Sequence, residues 1–161
     1  MGSSIGLPSD AMLDALKEFA GLEHRTQWVA EINGVNWYND SKGTNVGATV
    51  AAIDGLPGKH VLIAGGQSKA ADFVPLRAVA EQKLRAMVLI GEDAGTIAGC
   101  IDEVVPVRIA KDMKQAVEFA VALAKKGDNV LLSPACASFD MFDGFAHRGE
   151  VFMRAVVELQ S

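Results

Sequence analysis

Three short segments carry the residues that could do chemistry, and all three are rich in small and polar side chains. They are Asn39-Asp40-Ser41-Lys42-Gly43-Thr44-Asn45, Gly65-Gly66-Gln67-Ser68-Lys69 and Ser133-Pro134-Ala135-Cys136-Ala137-Ser138. The first ends an apolar run and opens a helical pattern. A helix start offers unpaired N–H groups and a partial positive charge, which suits an anion. Lys42 adds a full charge and Thr44 a hydroxyl. The plainer alternative is that Asp40 or Thr44 only caps the helix and Lys42 points to solvent. In the second segment, paired glycines allow a sharp turn or a close backbone approach to a ligand. Lys69 there can pair with a carboxylate or phosphate. The alternative is a tight turn with a surface lysine. In the third, Ser138 can bind an anion or cap the final helix, with Asp140 competing for the cap. Phe139, Phe142 and Phe145 cluster beside it, and at least two of them are expected to be core. Cys136 has no histidine close in sequence to activate it, so it reads as a buried structural thiol. No stretch matches the phosphate-cradling pattern G-x-x-x-x-G-K-[ST].

The elements around these segments alternate. Ser9 is a plausible cap for a helix reaching Gly21, with Met12, Leu13, Leu16 and Phe19 at helical spacing. Gln27–Ile32 and Val35–Asn39 read as strands joined by Asn33-Gly34, a strong hairpin signal. Helices are expected over 44–53, 75–83, 95–100, 111–125 and 142–159, and strands over 60–64, 86–90, 104–107 and 129–132. Apolar strands with helices between them give an α/β fold: a Rossmann-like, mostly parallel sheet with helices on both faces and an antiparallel edge hairpin near the N-terminus. In such a sheet ligands bind beyond the carboxyl ends of the strands, so the three segments should share one rim.

Composition narrows the classes. The chain has 161 residues, 50% hydrophobic and 22% charged, enough for one domain with a real core. A net charge of -5 argues against nucleic acid as a partner. No apolar run approaches the ~20 residues that span a bilayer, so no membrane segment is expected. Residues 1–5 read as a cloning remnant or linker rather than a signal peptide, and 6–161 as one domain. Cys100 and Cys136 lie outside any C-x-x-C pattern and are read as reduced thiols of a cytoplasmic protein. His24, His60 and His147 show no zinc-ligand spacing and are read as surface or capping residues, so no metal site is expected.

Taken in order, the segments are more specific than each alone. Gly21-Leu22-Glu23-His24-Arg25, Asn33-Gly34-Val35 and Asn39 to Asn45 resemble the opening of the C-terminal domain of the Mur ligase family. Gly65 to Phe73 resembles its second loop. Leu131 to Asp140, with Phe142, Phe145, Arg148 and Gly149, resembles its last. The likeness spans about residues 7 to 160. The D-S-K-x-T-N form resembles the member that adds D-glutamate to UDP-N-acetylmuramoyl-L-alanine, whereas sister members carry a D-Y-x-H-type loop. Two departures stand out. Gly43 replaces an alanine, which is expected to loosen the helix start, and Gln67-Ser68 replace a pattern with an acidic residue before the lysine.

The resemblance implies a reaction and roles. ATP with Mg2+ phosphorylates the terminal carboxylate of the UDP-sugar substrate, and the amine of D-glutamate attacks the acyl phosphate in peptidoglycan precursor synthesis. It implies two further domains, for the UDP-sugar and for ATP with Mg2+, so the isolated chain is expected to be inactive. Arg25 and Asp40 are implied to face the nucleotide. Lys42 is implied to be catalytic, between the phosphate and the incoming amine. Thr44, Lys69, Ser138, Phe139 and Phe145 are implied to hold D-glutamate. The competing readings are a sister Mur ligase or folylpolyglutamate synthase, and a stand-alone module binding a nucleotide or acidic metabolite.

Overall fold

The structure is a computed structural model that describes residues 22–161 together with Asp10, Ala11 and Asp14, which are helical. The rest of the helix expected from Ser9 to Gly21 lies outside the described residues. The elements run β1 (Gln27–Ile32), β2 (Val35–Asn39), α1 (Val46–Gly55), β3 (His60–Gly65), α2 (Val74–Lys83), β4 (Leu84–Ile90), α3 (Ala94–Ile101), β5 (Val107–Ile109), α4 (Met113–Leu123), β6 (Asn129–Leu132) and α5 (Phe145–Glu158).

The strands form one six-stranded sheet in the order β1-β2-β6-β3-β4-β5. Among the described residues only the β1–β2 strand pair is antiparallel; the other strand pairs are parallel. The hairpin turns on Asn33 and Gly34, with φ of 54° and 78°, as a two-residue turn between twisted strands requires. The central parallel strands β3 and β6 are buried on both faces and so show no polar alternation. The side chains of β3, β4 and β6 instead divide by the two-residue period of a strand. Val61, Ile63, Val88, Val130 and Leu132 pack under α4 and α5 with Trp37 and Phe152. Leu62, Ala64, Met87, Leu89 and Leu131 pack under α1, α2 and α3 with Leu76 and Ile97. Truncating a central residue such as Leu62, fully buried, costs about 2–5 kcal/mol by lost burial and cavity formation.

Of the boundaries that differ from the sequence expectation, four have a clear local reason. β5 lies at 107–109, not 104–107. The N–H groups of Val104 and Val105 bond back to Ile101 O, continuing the end of α3, and Pro106 has no N–H to give a ladder. The helix expected from Thr44 starts at Val46, because Asn45 takes the capping role assigned to Asp40 or Thr44 and accepts from Ala48 N at 2.9 Å. The helix expected from Lys111 starts at Met113 behind the cap Asp112. The final helix starts at Phe145, not Phe142. The N–H groups of Met141 and Phe142 instead close a turn onto Ser138 O, and Gly144 stands at the helix cap. Neither Ser138 nor Asp140 caps that helix.

The histidine reading is also corrected. His24 and His60 are buried, and only His147 is an exposed capping residue, its Nδ1 accepting from Asp143 N. Both buried rings pair with asparagine side chains, His24 with Asn39 and His60 with Asn129.

Candidate functional site

β2, β6, β3 and β4 are neighbours and parallel, so the segments following them emerge at one rim. The three segments singled out from sequence are joined there by backbone hydrogen bonds. Ala135 N donates to Gly43 O at 2.8 Å and Gly65 N to Pro134 O at 2.9 Å. Gln67 and Ala137 exchange bonds as a small bridge. Ala135 adopts a φ of 60°, an uncommon conformation for a residue with a Cβ, at one of these junctions.

Arg148, on the inward face of α5, ties the first segment to the third. It is fully buried, and its guanidinium donates to Ser41 Oγ at 3.0 Å, Ser41 O at 2.8 Å and Cys136 O at 3.0 Å. Burial pushes its pKa down to about 10, which still leaves it charged at neutral pH. Ser41 Oγ in turn donates to Phe145 O at 2.7 Å. Neither the hub role of Arg148 nor that of Ser41 is visible in loop composition. The signal was an arginine three residues after Phe145 and four before Phe152, on the face that must pack inward.

Asp40 is buried and accepts from Ser133 Oγ at 2.7 Å, Thr26 N at 2.9 Å and Thr26 Oγ1 at 3.3 Å. Burial raises its carboxyl pKa, opposed by these bonds and by the charge of Arg25. Thr26 sits at a φ of 44°, strained for a β-branched residue and held by the Asp40 bonds. Gly43 lies two residues before the cap of α1. A Cβ there would come within 2.5 Å of Asp40 Oδ2 and 2.6 Å of Ser133 Oγ. Its bare backbone therefore leaves room for the Ser133–Asp40 bond.

Arg25, Thr26, Asp40 and Lys42 face Ala48, Ala51 and Ala52 across a cleft of about 340 Å³. One wall is apolar and the other carries two cations and a carboxylate. That pairing suits the flat base and charged end of a nucleotide. Among the described residues no three His, Cys, Asp or Glu side chains gather as a metal site.

Lys42 is exposed, donates its N–H to His24 O at 3.0 Å and holds Nζ 4.0 Å from the centre of the Phe145 ring. His24 meets the same ring edge-on at 6.0 Å. Thr44 and Lys69 are exposed on the same rim, and Lys69 has no hydrogen bond or ion pair among the described residues. Ser138 is buried beside them, 2% exposed. The three phenylalanines do not form the expected core cluster. Only Phe142 packs on the core; Phe145 is half-buried and Phe139 is 72% exposed, an apolar ring standing on the rim. Cys136 is the buried thiol expected, its pKa pushed up to about 12 by burial, which makes it a poor nucleophile. The rim thus carries exposed cations, the buried Ser138 and, at the head of α5, the amides of Phe145–His147, which no side chain among the described residues caps; such a set suits anions.

Residues 24–136 match the family described as Mur ligase, glutamate ligase domain. The chain is 55% identical over its whole length to the UDP-N-acetylmuramoylalanine--D-glutamate ligase of Nitrosococcus oceani, of which it covers 36%. Its fold is similar to that of a MurF ligase from Thermotoga maritima solved in complex with ADP, with a TM-score of 0.59 and 16% identity over 88% of this chain and 32% of that one. It is also similar to a bifunctional folylpolyglutamate synthase/dihydrofolate synthase from Yersinia pestis complexed with AMPPNP and Mn ion, with a TM-score of 0.60 and 21% identity over 86% of this chain and 32% of that one. The chain therefore spans about a third of the length of the proteins it resembles.

Proposed function

Since the chain belongs to the Mur ligase, glutamate ligase domain family, we propose that it is the amino-acid-binding part of the ATP-dependent enzyme that adds D-glutamate to UDP-N-acetylmuramoyl-L-alanine. The observation that supports this most is the convergence of Lys42, Thr44, Lys69 and Ser138 from three separate segments onto one rim.

D-glutamate carries two carboxylates and one amine. Lys69, without a partner among the described residues, and Thr44 hold one carboxylate. Ser138 and the first-turn amides of α5 at Phe145 hold the other. Phe139 and Phe145 shield the carbon chain. The amine is left free, which is what attack on an activated carboxyl needs. Held about 3 Å from that carbon, it reacts mainly because it is positioned.

Arg25 and Asp40 face the nucleotide, with the base or ribose against the wall of Ala48, Ala51 and Ala52. ATP supplies the phosphoryl group that activates the substrate carboxylate. Its phosphates and Mg2+ are held mainly by a part of the ligase outside this chain, because no phosphate-cradling loop occurs in the sequence. Lys42 lies between the two sites. Its ammonium, steadied over the Phe145 ring, offsets negative charge as it develops. The ATP dependence of this reading puts the reaction in the cytoplasm; among the described residues no helix is long and apolar enough to cross a membrane.

The test is steady-state kinetics of the full-length ligase with ATP, Mg2+, UDP-N-acetylmuramoyl-L-alanine and a panel of amino acids. D-glutamate-dependent phosphate release with amide formation is the expected result. Turnover with a different amino acid or with a folate instead of the UDP-sugar would replace this reading with that of a sister ligase or a folylpolyglutamate synthase.

A further inference from the structure

A fourth segment reaches the rim. It follows β4 and consists of Gly91, Glu92 and Asp93. It packs backbone to backbone on the second segment: a Cβ on Gly91, at a φ of 80°, would lie 2.7 Å from Gly66 Cα and 2.9 Å from Gly66 N. Asp93 then grips the second segment at two points. Its N–H donates to Gly66 O at 2.9 Å, and its Oδ2 accepts from Ser68 N at 2.6 Å.

The second bond is informative because of where Asp93 stands. It occupies the cap position of α3, where an aspartate ordinarily accepts from its own helix. Here its side chain makes no capping bond. The carboxylate is turned away from α3 and spent on the residue immediately before Lys69. On the other side of Lys69, Ala70 is held at a φ of 51°, a conformation that alanine rarely adopts. Lys69 thus lies between an amide fixed by a carboxylate and a residue in a strained state, and among the described residues its ammonium has no partner to fix it otherwise. Glu92 extends the same device to the third segment. Its N–H donates to Asp140 Oδ2 at 2.8 Å, and its carboxylate accepts from Gln67 Nε2 at 3.2 Å.

We propose that Asp93 is a positioning residue of the amino-acid site, which sets Lys69 through the Ser68 amide without touching the substrate. The inference rests on the reading of Lys69 as a ligand of a substrate carboxylate. Loss of the Asp93 bond frees the Ser68–Ala70 backbone to relax from its strained state. Lys69 then spreads over several positions, and the affinity for the carboxylate falls. The chemistry at the amine, which depends on other groups, is left as it was. The effect falls on KM for the amino acid and spares kcat.

The experiment uses the full-length ligase with Asp93→Ala, Asp93→Asn, Lys69→Ala and the double variant Asp93→Ala/Lys69→Ala. Asp93→Ala is expected to raise KM for D-glutamate about tenfold, with kcat within about twofold and KM for ATP unchanged. Asp93→Asn keeps an oxygen that accepts from Ser68 N and is expected to stay within about threefold of wild type. With Lys69 already gone, Asp93→Ala is expected to add less than about twofold, because its effect passes through that lysine. Asp93→Ser, which keeps a polar residue at the head of α3 but withdraws the reach to Ser68, gives the same readings if the alanine variant does not fold. Effects that multiply in the double variant, or a fall in kcat with both KM values raised, overturn the proposal. A wild-type enzyme that turns over D-glutamate with KM unmoved in Asp93→Ala overturns this inference alone. A wild-type enzyme that does not use D-glutamate overturns the functional reading and this one with it.

Discussion

Replacing Arg148 with lysine is expected to loosen the rim from beneath while keeping its charge. The guanidinium makes three hydrogen bonds in different directions, two to Ser41 and one to Cys136. A lysine ammonium is a single point and cannot serve Ser41 O and Cys136 O at their present separation on two segments. Two bonds are lost and a buried carbonyl is stranded. At about 1.5–3 kcal/mol for each hydrogen bond from a charged donor, the loss is roughly 3–6 kcal/mol. That is a large share of the ~5–15 kcal/mol that holds a domain together. For a chain of this size it lowers the melting midpoint by about 10 °C. Arg148→Met removes the cost of burying the charge that depresses the arginine pKa, but leaves the same acceptors unpaired, and is expected to destabilise as well. The assay is a thermal or urea denaturation of the chain, followed by circular dichroism. A midpoint lowered by less than about 3 °C in Arg148→Lys would refute the assignment of Arg148 as the tie between the segments.

In the full-length ligase, Lys69→Ala should mainly raise KM for D-glutamate, whereas Lys42→Ala should lower kcat more; wild-type constants in both would remove both lysines from the site. Ser138→Ala should weaken D-glutamate use while costing little stability, because Ser138 caps no helix; a change in the melting midpoint without a change in KM would assign it a packing role only. His60 is buried, and desolvation holds its pKa below the ordinary 6.5, so the unfolded chain takes up the proton first. Its contribution to stability is therefore intact above pH 6.5 and is lost as the pH falls below that value toward the folded pKa. Urea midpoints measured from pH 7.5 to 5 should fall less steeply in His60→Gln than in wild type, by up to about 1.4 kcal/mol per pH unit; parallel curves would contradict this.

The sheet was legible in the sequence because its central parallel strands are short runs dominated by apolar residues and separated by helical patterns. His60–Gly65 and Asn129–Leu132 cannot be satisfied at a surface. The hairpin was legible because Asn33-Gly34 allows few other turns. β5 was misplaced because hydrophobicity alone does not separate a buried turn, Val104-Val105, from a strand; only the missing N–H of Pro106 marks the boundary. The start of α5 was misplaced because an aromatic-rich stretch reads as a helical face. The choice between a closed turn at Ser138 and a first helical turn depends on hydrogen bonds made by neighbours. The exposed candidate residues Lys42, Thr44 and Lys69 were legible as polar groups following strand ends. The residues that organise them were not. Arg148, Ser133, His24 and Asp93 act through partners 12 to 107 residues away in the chain, a separation that no local pattern encodes.

The most direct test of the central claim, that this rim binds D-glutamate at both ends, is a crystal structure of the full-length ligase with D-glutamate or the amide product bound. One carboxylate should lie about 3 Å from Ser138 and the first amides of α5, and the other should meet Lys69 and Thr44 at similar distances. An amino acid seated away from the segments that follow β2, β3 and β6, with Lys69 and Ser138 both facing solvent, would contradict the account.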